Sequence, residues 1–140
     1  MIDNKKKYGM ATKSIHSGQK PDKTTGAIMV PIYASSTYVQ ESPGKHKGYE
    51  YSRTQNPTRT AYEKCIADLE SGTHGFAFAS GMSAADGILS LLEVGDEVIA
   101  IDDLYGGTRR LFERVASKKS NLSFKFIDYN EFSNLESYIT

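Results

Sequence analysis

The sequence predicts an α/β protein with a mostly parallel sheet, preceded by an extended N-terminal arm. From residue 57 onward, short apolar runs alternate with segments of helical periodicity. That alternation favours parallel strands joined by right-handed helical crossovers. Residues 1–56 hold no long helical pattern and are rich in Gly, Ser, Thr, Lys and Tyr. Because such a segment buries little surface by itself, we expect it to lie against another part of the protein, most naturally a partner subunit.

The first long helix is predicted to begin after Asn56. Asparagine is a favoured N-cap, and Pro57 suits the first helical position because its missing N–H is not needed there. Apolar residues then recur along one helix face at Tyr62, Cys65, Ile66 and Leu69. Ser71-Gly72 is a typical helix end.

Beyond this helix, three buried strands are predicted at residues 75–79, 97–101 and 122–127, and helices at 84–92, 108–116 and 132–139. We expect the apolar side chains of the first two strands to lie in the core, namely Phe76, Phe78, Ile99 and Ile101. Three strands make a thin parallel sheet, and such a sheet needs both faces covered. Since the sequence ends within the alternation, the chain is expected to be truncated, one piece of a larger α/β protein.

Composition excludes several classes of function. Hydrophobic residues make up 39% and charged residues 24%, and 17 basic residues balance 17 acidic ones, so nucleic acid or an anionic membrane is not an expected partner. No apolar run is long enough to span a membrane. No apolar segment of the kind found in a signal peptide follows Lys5–Lys7. Because Cys65 is the single cysteine, the chain cannot form an internal disulfide, which fits a cytoplasmic protein. Cys65 lies on the apolar face of the predicted helix, and this position favours an inert buried thiol. The three histidines show no metal-ligand spacing, so no metal site is expected.

A first candidate site is Ser80-Gly81-Met82-Ser83, where a predicted strand meets a helix. Glycine lets the backbone approach a ligand closely, and the first N–H groups of a helix are unpaired and bind phosphate well. A plain strand-to-helix turn explains the same string. It matches neither the dinucleotide-binding glycine pattern nor the Walker loop.

Two further candidates place aromatic residues beside anion or ring binders. Tyr51 and Arg53 lie in a loop before the first long helix and offer a phenol and a forked guanidinium to one anion, although a surface loop is the simpler explanation. Tyr105 lies between a predicted strand and two glycines, at the carboxyl end where α/β sheets bind ligands. It could present its flat face to a ring, or be a half-buried turn residue.

In combination these strings resemble a family of pyridoxal 5′-phosphate (PLP) enzymes of Cys/Met metabolism, above all its cystathionine γ-lyase and γ-synthase branch. The resemblance rests on the order and spacing of Tyr51-Ser-Arg53, Asn56-Pro-Thr-Arg59, Phe78-Ala-Ser80-Gly81-Met82 and Asp102-Asp-Leu-Tyr105-Gly-Gly-Thr108. Upstream, Thr25-Gly-Ala and Pro31-Ile-Tyr-Ala-Ser-Ser-Thr37 are similar too. It extends from about Thr12 to the end of the chain.

The resemblance implies an aspartate-aminotransferase-like large domain of fold type I, with a mostly parallel sheet between helices. Residues 1–56 would be an intersubunit arm that contributes to a neighbouring active site, and residues 57–140 the first part of the PLP-binding domain. The implied protein is a homo-oligomer, a dimer of dimers, and its partner is a small sulfur amino acid. The implied reaction is elimination or replacement, with cystathionine cleaved to cysteine, 2-oxobutanoate and ammonia, or formed from an activated homoserine and cysteine. Cystathionine β-lyase and methionine γ-lyase activities are alternatives.

The resemblance also implies roles for individual residues. Tyr51 and Arg53 match the pair that reaches the PLP phosphate of the neighbouring subunit, and Gly81 and Met82 match the backbone donors to that phosphate within the same subunit. Tyr105 matches the tyrosine stacked on the pyridine ring. Of these, Tyr51 and Tyr105 are also the catalytic candidates, because a phenol near the reacting atoms can tune proton transfer.

Two more residues match positions on the substrate side. Arg110 matches an arginine that binds the distal end of the substrate, and Glu50 matches an acidic residue.

The sequence departs from the family in one important respect. The Schiff-base lysine of the family follows a Ser-x-Thr string, and no such string occurs in these 140 residues. Ala11-Thr12-Lys13 is similar, but Met10 stands where serine is needed, and Lys13 precedes every predicted strand. Neither Asp102 nor Asp103 matches the aspartate that pairs with the pyridine nitrogen. Two hypotheses from other classes therefore stay open: a nucleotide- or phosphate-binding α/β protein, and a non-catalytic truncated assembly module.

Overall fold

The computed structural model describes residues 8–139, and within them the chain divides into two compact units between Ala77 and Phe78. The elements of the first unit are α1 (Met10–His16), β1 (Gln40–Ser42), β2 (Lys45–His46) and α2 (Pro57–Leu69). The second unit begins with α3 (Gly81–Leu89) and β3 (Glu97–Ile101), and then forms α4 (Gly106–Arg110), a π-helical turn (Leu111–Ala116), α5 (Ser117–Lys119), β4 (Ser123–Ile127) and a 3-10 helix (Tyr129–Tyr138). The predicted boundary between residues 56 and 57 concerns the complete protein and stays a prediction.

The start and end of α2 are confirmed. The Asn56 side chain accepts hydrogen bonds from the backbone N–H groups of Thr58 and Arg59, and Pro57 is the first helical residue. After Leu69 the chain turns at Ser71, whose φ is 57°, and the Gly72 N–H donates to the Ala67 carbonyl at 2.7 Å. These bonds satisfy the polar groups that a helix leaves open at its two ends.

The arm is fastened to α2 by contacts that the sequence pattern does not show. Its residues 10–16 form α1, an unpredicted helix, and the turn after it brings Gly18 against the α2 backbone. A Cβ at Gly18 would lie 2.6 Å from the Cys65 backbone nitrogen, and the φ of +73° also requires glycine. α1 lies along the Cys65 side of α2. It covers the predicted apolar face of α2 only in part, since Tyr62 is 59% exposed and Ile66 is 38% exposed.

The rest of the arm follows α2 and its N-terminal loop. Residues 28–33, the first apolar run, form no strand; instead Thr58 Oγ donates to the Pro31 carbonyl at 3.0 Å and accepts from the Tyr33 N–H at 2.9 Å. Thr37 and Tyr51 form an antiparallel bridge, so the expected extended stretch around residues 36–40 pairs with the loop before α2.

The second unit contains the predicted parallel pairing. β3 and β4 run parallel, with Glu97 opposite Ser123 and Ile101 opposite Ile127. The predicted strand 97–101 agrees at both ends and the strand predicted at 122–127 begins one residue later. One face of this pair packs on a core of helical and loop residues, namely Leu89, Phe112, Ala116 and Leu122. Phe112 stacks on Phe124 with ring centroids 4.8 Å apart.

The strand predicted at residues 75–79 is wrong for the structure described. These residues pair with no segment among residues 8–139, and Phe76 and Phe78, expected in the core, are 77% and 51% exposed. A strand needs a neighbour for its N–H and C=O groups, and an apolar run alone cannot supply one. Ile99 and Ile101 are half-buried as members of β3.

The remaining helices differ from the predictions in their bounds. The helix predicted at 84–92 begins already at Gly81, because Ser80 caps it. The one predicted at 108–116 begins at Gly106 and continues as the π-helical turn. At residues 132–139 the structure has the tighter 3-10 helix from Tyr129 to Tyr138 instead.

Candidate functional site

The N-terminus of α3 presents two unpaired backbone donors. Ser80 and Ser83 form a reciprocal capping box, in which Ser80 Oγ accepts from the Ser83 N–H and Ser83 Oγ accepts from the Ser80 N–H, both at 3.1 Å. The box leaves the N–H groups of Gly81 and Met82 without a hydrogen-bond partner in residues 8–139. Gly81 is exposed, and a Cβ there would meet nothing within 4 Å, so no other described residue packs against Gly81 at this end of the helix. This is the arrangement that binds an anion at a helix N-terminus.

Tyr105 lies beside this terminus and its ring is accessible. It precedes α4 and is 74% exposed. Gly107 lies directly against the ring, because a Cβ there would be 2.5 Å from Tyr105 Cε1 and 3.2 Å from Met82 Sδ. Thr108 Oγ also contacts Met82 Sδ at 3.7 Å. The structure therefore brings Tyr105 and Met82, predicted from separate strings, to one place in the second unit.

In the first unit, Tyr51 and Arg53 form the expected pair. The guanidinium carbon of Arg53 lies 5.0 Å from the centre of the Tyr51 ring, in cation–π contact. Arg53 is exposed, and within the described part of the chain its guanidinium makes no hydrogen bond or ion pair. A phenol and a forked cation held this close together can bind one anion.

The two residues predicted on the substrate side occupy different units. Glu50 is half-buried in the first unit, and its carbonyl accepts from the Tyr38 N–H at 3.0 Å. Arg110 is exposed at the end of α4, five residues after Tyr105. Their substrate roles stay predictions.

The sequence analysis did not assign the contacts that three residues make around these groups. Ser83 completes the capping box, and the Ser80-x-x-Ser83 spacing is the signal that could have indicated it. Gly107 fits against Tyr105, which only the folded geometry reveals. Asn56 was predicted as a cap, but its amide also donates to the Tyr33 carbonyl at 2.9 Å and to Ser52 Oγ at 3.0 Å.

Lys13 has a structural role in the first unit. Its ammonium donates to the Asp68 carbonyl at 2.8 Å and lies 3.3 Å from the Asp68 carboxylate, which also accepts a hydrogen bond from the buried Ser17 hydroxyl. The Ser17 hydrogen bond, together with Lys13, holds the pKa of the Asp68 carboxyl below its ordinary value. An ammonium used in this way is charged and anchored, unlike the desolvated amine that covalent catalysis needs.

Residues 8–139 contain neither a candidate metal site nor a candidate membrane span. No group of three or more His, Cys, Asp or Glu side chains there could hold a metal ion. No helix in that range is long and apolar enough to cross a membrane.

The fold and these groups define a class of protein: an α/β protein with donors for an anion and an aromatic face for a planar ring. The chain belongs to the family of Cys/Met metabolism PLP-dependent enzymes, which it matches over residues 11–140. The open donors of Gly81 and Met82 and the exposed Tyr105 ring fit the phosphate and the pyridine of that cofactor.

Individual relatives are similar over nearly the whole chain. It is 58% identical over 138 residues, 99% of its length, to a cystathionine β-lyase of Coxiella burnetii, and 49% identical over 95% of its length to a cystathionine γ-lyase of Dictyostelium discoideum. Among solved structures, cystathionine γ-lyase from Lactobacillus plantarum complexed with L-serine superposes with a TM-score of 0.84 at 46% identity, and MetB from Corynebacterium glutamicum with 0.86 at 39%. Both cover 95% of this chain.

The chain spans about a third of the length of the curated relatives it matches, 36% of the Coxiella protein and 34% of the Dictyostelium protein. For the two solved structures the shares are 34% and 35%. The α/β fold of the PLP-dependent enzymes is thus confirmed for this portion.

Proposed function

We propose that the protein containing this chain is a PLP-dependent enzyme that eliminates or replaces a group at Cβ or Cγ of a sulfur amino acid. Cystathionine is its substrate or its product. The observation that supports this best is the open α3 N-terminus, with the free N–H groups of Gly81 and Met82, beside the exposed ring of Tyr105. A phosphate and a planar ring joined in one cofactor need these two features together.

Each group has a distinct task in this proposal. Gly81 and Met82 donate backbone hydrogen bonds to the PLP phosphate, where the partial positive charge of the helix N-terminus adds to them. Tyr105 would hold the pyridine by stacking its exposed ring on it. Bound PLP supplies an electron sink for the α-carbon of an amino acid.

Tyr51 and Arg53 act on the active site of a neighbouring subunit. Arg53 supplies a guanidinium fork to the cofactor phosphate, and the Tyr51 phenol donates a further hydrogen bond and can hold or move a proton near the substrate. Glu50 and Arg110 contact the substrate, with Arg110 at its distal carboxylate. The arm of residues 1–56 is therefore an intersubunit element, and the complete protein is a homo-oligomer, a dimer of dimers, in the cytoplasm.

We favour γ-chemistry, that of a cystathionine γ-lyase or γ-synthase, because the combined strings of this sequence resemble that branch most. A second candidate is β-elimination, supported by the 58% identity to the Coxiella protein named cystathionine β-lyase. Methionine γ-lyase activity is a further alternative. The non-catalytic assembly module has no support among the relatives named above, which bear the names of enzymes.

The test is product analysis of the purified, PLP-loaded protein that contains this chain in two separate reactions, one supplied with cystathionine and the other with cysteine and an activated homoserine. Cleavage by γ-elimination gives cysteine, 2-oxobutanoate and ammonia, whereas β-elimination gives homocysteine, pyruvate and ammonia. A γ-synthase forms cystathionine from cysteine and an activated homoserine. Absence of all these products, with PLP shown to be bound, would contradict the proposal.

A further inference from the structure

Arg59 is bound to the main chain of the turn that carries Arg53. Its Nη2 donates to the Thr54 carbonyl at 2.6 Å, and its Nη1 donates to the Ser52 carbonyl at 3.2 Å. Both terminal nitrogens also lie 3.4 Å from the Arg53 carbonyl. One guanidinium therefore holds three successive carbonyls, those of residues 52–54.

The Arg59 side chain is itself held in place by α2. Arg59 lies in the first turn of α2, and its Nε is 3.5 Å from the carboxylate of Glu63, one helical turn further on. Glu63 is itself fixed, because the same carboxylate oxygen accepts from the Ala77 N–H at 3.0 Å. The side chains of Arg59 and Glu63 are 33% and 22% exposed, so solvent screens this pair only in part.

The turn of residues 51–54 is held on both sides. The Arg59 guanidinium holds it at its carboxyl side, and the bridge between Thr37 and Tyr51 holds it at its amino side. Arg53 itself projects outward, over the Tyr51 ring, with its guanidinium unused in the described residues. Three carbonyl oxygens near a bound anion would repel it. Arg59 engages all three, so these carbonyls point to its guanidinium.

We propose that Arg59 is a positioning residue that fixes the turn of residues 51–54 and so orients Arg53 and Tyr51 toward the cofactor phosphate. The proposal rests on the function proposed above for Arg53. Arg59 binds no ligand in this scheme, and its effect passes through the backbone of the turn. Lysine cannot replace it, because an ammonium lacks the planar fork that reaches neighbouring carbonyls.

The test compares the affinities of the apo form of the complete enzyme for PLP and for pyridoxal, which lacks the phosphate. Arg59→Ala should weaken PLP binding by about three- to thirtyfold and leave pyridoxal binding within about twofold, since only the phosphate contact is disturbed. Arg59→Lys, which keeps the charge and folds more readily, should show most of the same loss. Equal losses for PLP and pyridoxal, or no loss for either, would overturn the proposal.

Further variants distinguish a failure of the positioning role of Arg59 from a failure of the phosphate role of Arg53, and both from a general loss of stability. If Arg53→Ala leaves the PLP-to-pyridoxal preference unchanged, the phosphate role of Arg53 is wrong. If Arg53→Ala lowers it and Arg59→Ala does not, only the positioning role fails. In the Arg53→Ala background, Arg59→Ala should cause a smaller further loss than in the parent, and that remaining loss comes through Tyr51. Lys13→Met is the matched control, because it removes a contact to α2 made at the Asp68 end of the helix and should lower Tm without changing the preference.

Discussion

The fit of Gly107 against Tyr105 predicts a substitution that stabilises the fold and weakens the cofactor site. A Cβ at position 107 would lie 2.5 Å from Tyr105 Cε1, whereas ordinary contact begins at 3.4 Å, so the ring edge would move by 3.4 − 2.5 = 0.9 Å to reach ordinary contact. Tyr105 is 74% exposed and can swing away with little strain. Gly107 is a residue of α4, where alanine in place of glycine typically stabilises by about 0.4–1 kcal/mol.

Stability and affinity should therefore change in opposite directions in Gly107→Ala. The melting temperature is expected to stay level or rise slightly. Stacking on an aromatic ring contributes about 0.5–1.5 kcal/mol beyond buried area, so displacing Tyr105 should weaken PLP binding by about two- to twelvefold. The assay is PLP titration of the apo form of the complete enzyme, with a thermal melt of each variant.

Gly106→Ala is the matched control, since a Cβ at Gly106 meets nothing within 4 Å. It offers a similar gain in helix propensity without touching the ring, so its PLP affinity should equal that of the parent. In a Tyr105→Ala background, Gly107→Ala should cause no further loss, because the ring it displaces is gone. If Gly107→Ala binds PLP as tightly as Gly106→Ala does, the Tyr105 ring is not held in a stacking position by Gly107.

Three further predictions concern single side chains. Arg53→Ala should weaken PLP affinity by about ten- to a hundredfold through lost charge-assisted hydrogen bonds, and an unchanged titration curve would refute its phosphate role. Tyr105→Phe should bind PLP nearly as the parent does while Tyr105→Ala binds clearly less; equal behaviour of the two variants would show that stacking is not its contribution. Because the pKa of Asp68 is held below its ordinary 3.8, first by the Ser17 hydrogen bond, its ionised form stabilises the fold above that pH and the effect is lost as pH falls through the lowered pKa. The Tm difference between the parent and Asp68→Asn should therefore be present at pH 6 and shrink as the medium becomes more acidic than pH 3.8, and a difference independent of pH would contradict this.

Local sequence determined the features whose hydrogen bonds close within a few residues. Asn56 and Pro57 define the start of α2 because the cap and the helix it serves are neighbours in the chain. β3 was predicted correctly because its apolar run is bounded by turn residues on both sides and finds β4 as a partner. The phosphate-binding candidates Gly81 and Met82 were also identified from the sequence, and the structure leaves their N–H groups open.

Only the tertiary structure decided which distant groups meet. Residues 75–79 have the composition of a strand but no partner among residues 8–139, so Phe76 stays exposed. The docking of α1 depends on the approach of Gly18 to Cys65 across more than 40 positions of the chain, which no local pattern encodes. In the sequence, Arg59 looks like any polar residue of a helix. The three carbonyls to which it donates come within reach only when the preceding turn folds back on α2. Propensity and capping act between neighbours in sequence, whereas pairing, close approach and side-chain reach are set by distances that the folded chain alone fixes.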